Sequence, residues 1–283
     1  MSGLQCSSLV VAAPAKVNLF LHVTGRRADG YHTLESLVTL IDLADTVSVE
    51  DRDDERVVRA RPIAGVAESD DLALRAALAL REASGARRGA SIAIDKRIPI
   101  GAGLGGGSSD AASTLIALNR LWGLGLPRSE LTSIGVLLGA DVPFFLGSGA
   151  AVMRGIGEIL TPIALPAAWI ALALPPVAVS TASIFAAPEL TRSAASAKMD
   201  VFSEGYGRND LEAAATARFA AVAQALTALR RVAPQARMTG SGAAVFAAFA
   251  TAAEAQAALA ALPAGVPGRV VRTIDRHPLA ALV

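Results

Sequence analysis

Residues 101–109 read GAGLGGGSS, five glycines and two serines in nine positions, directly ahead of a run rich in Ala and Leu. Glycine lets backbone N–H groups approach a ligand closely, and the first turn of a helix leaves such groups pointing outward for an anion. Together they suit a phosphate cradle. The letters G-x-G-x-x-G are satisfied by Gly101, Gly103 and Gly106, but a dinucleotide site needs an acidic strand end about twenty positions on, where this chain has NRLWGLGLPRSE. A Walker-type loop is excluded because no lysine follows the glycines. The remaining alternative is a glycine-rich turn without a ligand, which would carry the entropic cost of seven small residues for no use. The reading kept is a loop whose N–H groups, with the hydroxyls of Ser108 and Ser109, wrap phosphate oxygens. No cation is adjacent in sequence, so their charge is expected to be met by a magnesium ion arriving with a nucleotide.

Transfer of a phosphoryl group to an alcohol needs an acceptor for the hydroxyl proton and a nearby cation. Asp141, in LGADVPFFL, is a polar interruption between apolar runs, placed either to cap a turn or to face a site. Lys16 lies on an apolar segment with Asn18 on the same face of an extended strand; a solvated sheet face is the alternative. Tyr31 and His32 follow the turn at Asp29 and Gly30 and could stack on a base, or anchor a loop. Thr181 and Phe185 fall one turn apart if their segment is helical. Asp110 could orient the waters of a metal ion or simply favour the helix dipole.

The elements that must position these groups follow from periodicity. Residues 10–24 alternate as a strand, and DTVSVE and ERVVRARP read as further short strands. Residues 71–83 predict a helix, ASIAIDKRI a strand entering the glycine loop, and the stretch from Ser108 a helix with Ala111, Leu115, Leu118 and Trp122 at helical spacing. RSELTSIGVLLG predicts a helix ended by Gly139. Beyond residue 160 the texture changes: WIALALP, TGSGAAVFAAF and GRVVRTID predict strands, with TAAEAQAALAAL as a helix. The expectation is a two-lobed α+β protein divided near residue 160, into 1–160 and 161–283.

The chain has 283 residues, 53% of them hydrophobic, enough for a large core. Its 26 basic and 25 acidic side chains nearly cancel, so no nucleic acid or acidic membrane is expected as partner. GARRGA reads as solvated loop charge. A single cysteine, Cys6, excludes an internal disulfide, no Cys/His cluster suggests a metal site, and a cytoplasmic location follows. The N-terminal apolar run is broken by Lys16 and Asn18, so neither a signal peptide nor an anchor is expected.

PAKVNLFLHVTGRRADGYHTLESL, PIGAGLGGGSSDAASTLIALN, LGADVPFFL and TGSGAAVFA occur in this order. The set resembles the GHMP kinases, over residues 13–247, and the expanded loop GLGGGSSDAA is similar to their diphosphocytidyl branch. The resemblance implies a fold of two lobes with the active site in the cleft between them, and ATP-dependent phosphorylation of a small-molecule substrate with a cytidine diphosphate group. Carried over, Asp141 is the general base and Lys16 its partner at the attacking hydroxyl. Asn18, Tyr31, His32, Thr181 and Phe185 hold the substrate, the last two near its cytidine. Pro99, Ile100, Gly101, Ala102, Gly103, Leu104, Gly105, Gly106, Gly107, Ser108 and Ser109 form the triphosphate loop, and the surroundings of Lys96 are a candidate for the adenine. No protein ligand is assigned to magnesium and no obligate protein partner is expected. Three rivals stay open: a sister kinase acting on homoserine or mevalonate, a non-catalytic nucleotide-binding module of the same fold, and a dinucleotide-binding redox enzyme.

Overall fold

The computed structural model describes residues 7–147, 149–190 and 207–282. Cys6 lies outside them. The chain opens with a long antiparallel hairpin, β1 (Ser8–Arg26) and β2 (His32–Arg52), turned at Gly30, whose φ of 90° suits glycine. The sequence reading found β1 but only the last part of β2, because Glu35, Asp42 and Asp45 interrupt its apolar pattern. Two of these are buried and paired: Glu35 with Arg154 at 2.9 Å, and Asp45 with Lys96. Three register shifts punctuate β1, one between Asn18 and Phe20.

Next come β3 (Val57–Arg59), α1 (Leu72–Ser84) and β4 (Gly89–Asp95). Helix α1 begins where the Asp71 carboxylate accepts the N–H groups of Ala73 and Leu74, and stops at Gly85, φ 66°. Helix α2 (Gly106–Leu121) starts two residues earlier than its hydroxyls suggest. Its N-cap is Gly105, with no side-chain cap, so Ser108 and Ser109 lie inside the first turn. Every residue from Ser109 to Asn119 is buried, so α2 is enclosed on all sides rather than amphipathic, packed on α1 and β1. Then come α3 (Arg128–Leu138), ended by Gly139, the short α4 (Val142–Leu146), β5 (Ala151–Gly155) and β6 (Ile159–Pro162).

The remainder supplies β7 (Trp169–Ala173), α5 (Thr181–Phe185), α6 (Glu212–Arg218), α7 (Ala220–Val232), β8 (Arg237–Met238), β9 (Val245–Phe249), α8 (Ala252–Leu259) and β10 (Gly268–Ile274). The TGSG segment, expected within a strand, is the loop between β8 and β9. Among the described residues the strands form one ten-stranded sheet. β10 joins its two parts: Thr273 and Ile274 pair with Ile41 and Leu40 of β2, and residues 268–272 pair with β7. A core cluster spans the same junction, with Ala15, Val17, Ile41 and Leu104 packed against Ile170, Leu172, Phe246 and Val271. The fold is mixed α and β, and the two halves share both sheet and core.

Candidate active site

A cavity of about 490 Å³ lies between the hairpin, the glycine loop and the 239–242 loop. Its walls include Pro99 to Ser108, Lys16, Asn18, Asp141, Thr181 and Phe185. Segments far apart in sequence therefore meet at one concavity.

The glycine loop is shaped first by the protein itself. Gly101 and Gly103 have φ of 68° and 75°, and a Cβ on Gly103 would stand 2.4 Å from the Thr239 carbonyl oxygen. The carbonyls of Gly101, Ala102 and Leu104 accept the N–H groups of Val179, Ala244 and Lys16, each at 3.0 Å. Carbonyls thus face the fold, and the first-turn N–H groups of Gly106, Gly107 and Ser108 are left for an anion. Ser108 lines the cavity. Ser109 does not: it is fully buried and its hydroxyl has no hydrogen-bond partner, so the expected help from that hydroxyl is corrected.

The charge reading is corrected as well, because a cation is local. Lys96, just past β4, reaches over the start of α2, its Nζ 3.2 Å from where a Gly106 Cβ would be. Two carboxylates hold it, Asp45 and Asp110, the latter at 2.7 Å. Asp45 is completely buried and also accepts the Ile98 N–H at 2.8 Å. Burial works to lower the Lys96 pKa, but Asp110 and Asp45 outweigh it and raise it. Burial pushes the Asp110 carboxyl up to about 7, against the pull of Lys96 and with the help of Asp45. Asp110 is thus an ion-pair partner, neither of the roles considered from sequence. Asp45 was missed, although it interrupts an apolar run just as Asp141 does.

Asp141 occupies the N-cap position of α4, yet its side chain accepts no helix N–H, so the turn-capping alternative fails. Its carboxylate stands 3.8 Å from the Lys16 ammonium, 39% exposed where Lys16 is 5%. Burial depresses the Lys16 pKa below the usual lysine range, with Asp141 opposing. Lys16 is thus buried, not on a solvated face, and it donates to the Asn18 Oδ1 at 2.5 Å. Such a pair can accept a hydroxyl proton on the solvent-facing carboxylate while the cation stabilises developing negative charge.

At the other end His32 stacks on Phe185, ring centroids 5.1 Å apart and planes inclined by 26°, closing the hairpin tip onto α5. That stretch is helical, and Thr181 shares a 2.8 Å hydrogen bond with Ser241. Neither Tyr31 nor His32 lines the cavity, and Tyr31 is 63% exposed. Among the described residues no group of three or more His, Cys, Asp or Glu side chains could hold a metal ion, and no helix is long and apolar enough to cross a membrane.

Residues 71–149 match the model of the GHMP kinases N terminal domain, and residues 188–268 that of the GHMP kinases C terminal. The chain is 53% identical to a 4-diphosphocytidyl-2-C-methyl-D-erythritol kinase of Thiobacillus denitrificans, over 94% of this chain and 96% of that one. It is 54% identical to the enzyme of that name from Cupriavidus necator, over 95% and 94%. A crystal structure of 4-(cytidine 5'-diphospho)-2C-methyl-D-erythritol kinase superposes with a TM-score of 0.81 at 35% identity, covering 94% of this chain and 99% of that one. Homoserine kinase from Cytophaga hutchinsonii, at 18% identity and a TM-score of 0.72 over 98% and 97%, shares the fold. The chain therefore belongs to the GHMP kinases, in the family of its 4-diphosphocytidyl-2-C-methyl-D-erythritol kinase relatives.

Proposed function

We propose that this chain is an ATP-dependent kinase that phosphorylates the 2-hydroxyl of 4-diphosphocytidyl-2-C-methyl-D-erythritol, a step in non-mevalonate isoprenoid precursor synthesis carried out in the cytoplasm. The observation that carries the reading is the meeting of the glycine loop with the Lys16–Asp141 pair in one cavity, in a chain whose relatives bear that name.

In this reading the triphosphate lies along residues 99–108, its oxygens on the N–H groups opening α2, with the Lys96 ammonium above them. Asp141 takes the proton of the attacking hydroxyl. Lys16 stabilises the oxygen as it becomes negative. Asn18, Tyr31 and His32 hold the substrate, with Thr181 and Phe185 near its cytidine. Asp110, a carboxylate lining the cavity beside the loop, is engaged by Lys96, so magnesium is assigned to the nucleotide's own phosphates. There it would neutralise phosphate charge. Residues 1–160 and 161–283 are taken as the two lobes.

ADP release, measured with a coupled assay across the diphosphocytidyl substrate, homoserine and mevalonate, tests the proposal. Turnover confined to the first is expected. Turnover on either of the others instead, or ATP binding without turnover on any, would overturn it.

A further inference from the structure

Among the described residues, Lys16 donates one short side-chain hydrogen bond besides its longer contact with Asp141, to the Oδ1 of Asn18. An amide can turn either end to a neighbour, and the wrong end would set an NH2 group against an ammonium. Two hydroxyls orient Asn18: that of Thr239 donates to Oδ1 over a long 3.4 Å, and a nearer one lies on the neighbouring strand. The Ser36 hydroxyl donates to the Phe20 carbonyl at 2.5 Å. Its proton is spent there, so toward Asn18 its oxygen can only accept. Asn18 therefore presents Nδ2, at 2.8 Å, and Oδ1 must face Lys16. The Asn18 backbone is held in turn, its N–H donating to the Thr239 hydroxyl at 2.7 Å. All four side chains are buried, with Thr239 completely so.

The strand geometry makes this possible. Asn18 pairs with Val38, but Phe20 pairs with Leu37 and Leu21 with Ser36, so the ladder slips by one residue at Leu19. A bulge of this kind re-aims side chains beside a site. Ser36 borders the cavity, yet both its donor and an acceptor position are committed within the protein.

We propose that Ser36 is a positioning residue for phosphoryl transfer: it fixes the amide of Asn18, which aims its carbonyl oxygen at Lys16 and keeps that ammonium charged beside Asp141. This rests on the kinase reading above. It assigns Asn18 an orienting duty that reaches Lys16, beyond any contact with substrate.

The test compares Ser36→Ala with Ser36→Thr in the full chain. Ser36→Ala is expected to lower kcat about tenfold, as modest misplacement of a catalytic group does, with KM for both substrates within about twofold. Ser36→Thr, which keeps the hydroxyl, is expected to restore it. The decisive readout needs no substrate: 13C NMR of labelled lysine should show Lys16 titrating at lower pH in Ser36→Ala than in wild type, and unchanged in Ser36→Thr. A wrong acceptor in the kinase reading would leave this titration intact as a test. If Ser36→Ala fails to fold, Asn18→Ala carries the same measurement. A Lys16 titration that matches wild type in the folded variant overturns the proposal.

Discussion

Asp141 and Lys16, 125 positions apart in sequence by their numbers, face each other at 3.8 Å with unequal access to solvent: the carboxylate is 39% exposed and the ammonium 5%. The asymmetry divides the labour. The open carboxylate can exchange a proton with an incoming hydroxyl, and the enclosed cation keeps its field undiluted by water.

Replacing Asp141 by Asn removes the proton acceptor while keeping the shape. The expected result is a loss of about 10²–10⁴ in kcat with the ATP dissociation constant changed by less than about threefold. Isothermal titration and steady-state assays on one preparation separate the two. A near-normal kcat would remove Asp141 as base.

The buried ammonium of Lys16 costs stability that function recovers. Its pKa is depressed in the folded state, so the unfolded chain binds the proton more readily between the depressed value and 10.5. Its stabilising contribution is full above 10.5 and is lost as pH falls through the depressed value. Lys16→Met should therefore abolish turnover by at least about 10²-fold yet raise the melting temperature at neutral pH, by about 2–4 °C for each kcal/mol recovered. Scanning calorimetry reads the second effect, and a lower melting temperature would contradict it. In wild type the alkaline limb of kcat should be displaced below 10.5.

Asp110 has the opposite sign. Its carboxyl is raised from 3.8 to about 7, so its contribution to stability is full below about 4 and lost as pH rises through 7. At about 1.4 kcal/mol per unit the loss is of order 4 kcal/mol. Asp110→Asn should flatten this dependence. Urea midpoints at pH 5 and pH 8 should converge relative to wild type, and an unaltered difference would assign the titration elsewhere.

Gly103 has no room for a side chain. With φ at 75° and the Thr239 carbonyl oxygen 2.4 Å from a Cβ position, Gly103→Ala is expected to cost about 2–4 kcal/mol in chemical denaturation. It should also weaken ATP binding, because the glycine loop packs directly against the 239–242 segment. A loss below about 0.5 kcal/mol would show that the contact yields freely.

Much of this site was legible because its signals are local. The loop, Asp141 and Lys16 are departures from an expected pattern, glycines where a helix begins and charges where apolar residues recur. Helix α1 announced itself through its run of Leu and Ala, and α3 through the Gly139 that ends it. What stayed hidden depends on pairing across the sheet. Glu35 and Asp45 broke the strand pattern of β2, and partners distant in sequence, among them Arg154 and Lys96, 119 and 51 positions away, help explain how they are buried. Ser36 carries no sequence signal, since its role arises from a slipped register. Ser109 misled because a hydroxyl ahead of a helix and one inside its first turn look alike in sequence. The glycines of the loop were assigned to a ligand's close approach, whereas two of them answer to Ala178 and Thr239 of the protein itself.

The strand that knits the halves together, β10, is translated after every other strand of the sheet. Its Arg272 N–H reaches an Asp42 carboxylate oxygen 230 positions earlier. A growing chain therefore carries the glycine loop and the hairpin for most of its synthesis without the seam that closes them against β7. Closure of the sheet across its two parts is thereby a late, long-range event, of the kind that slows folding relative to local contacts.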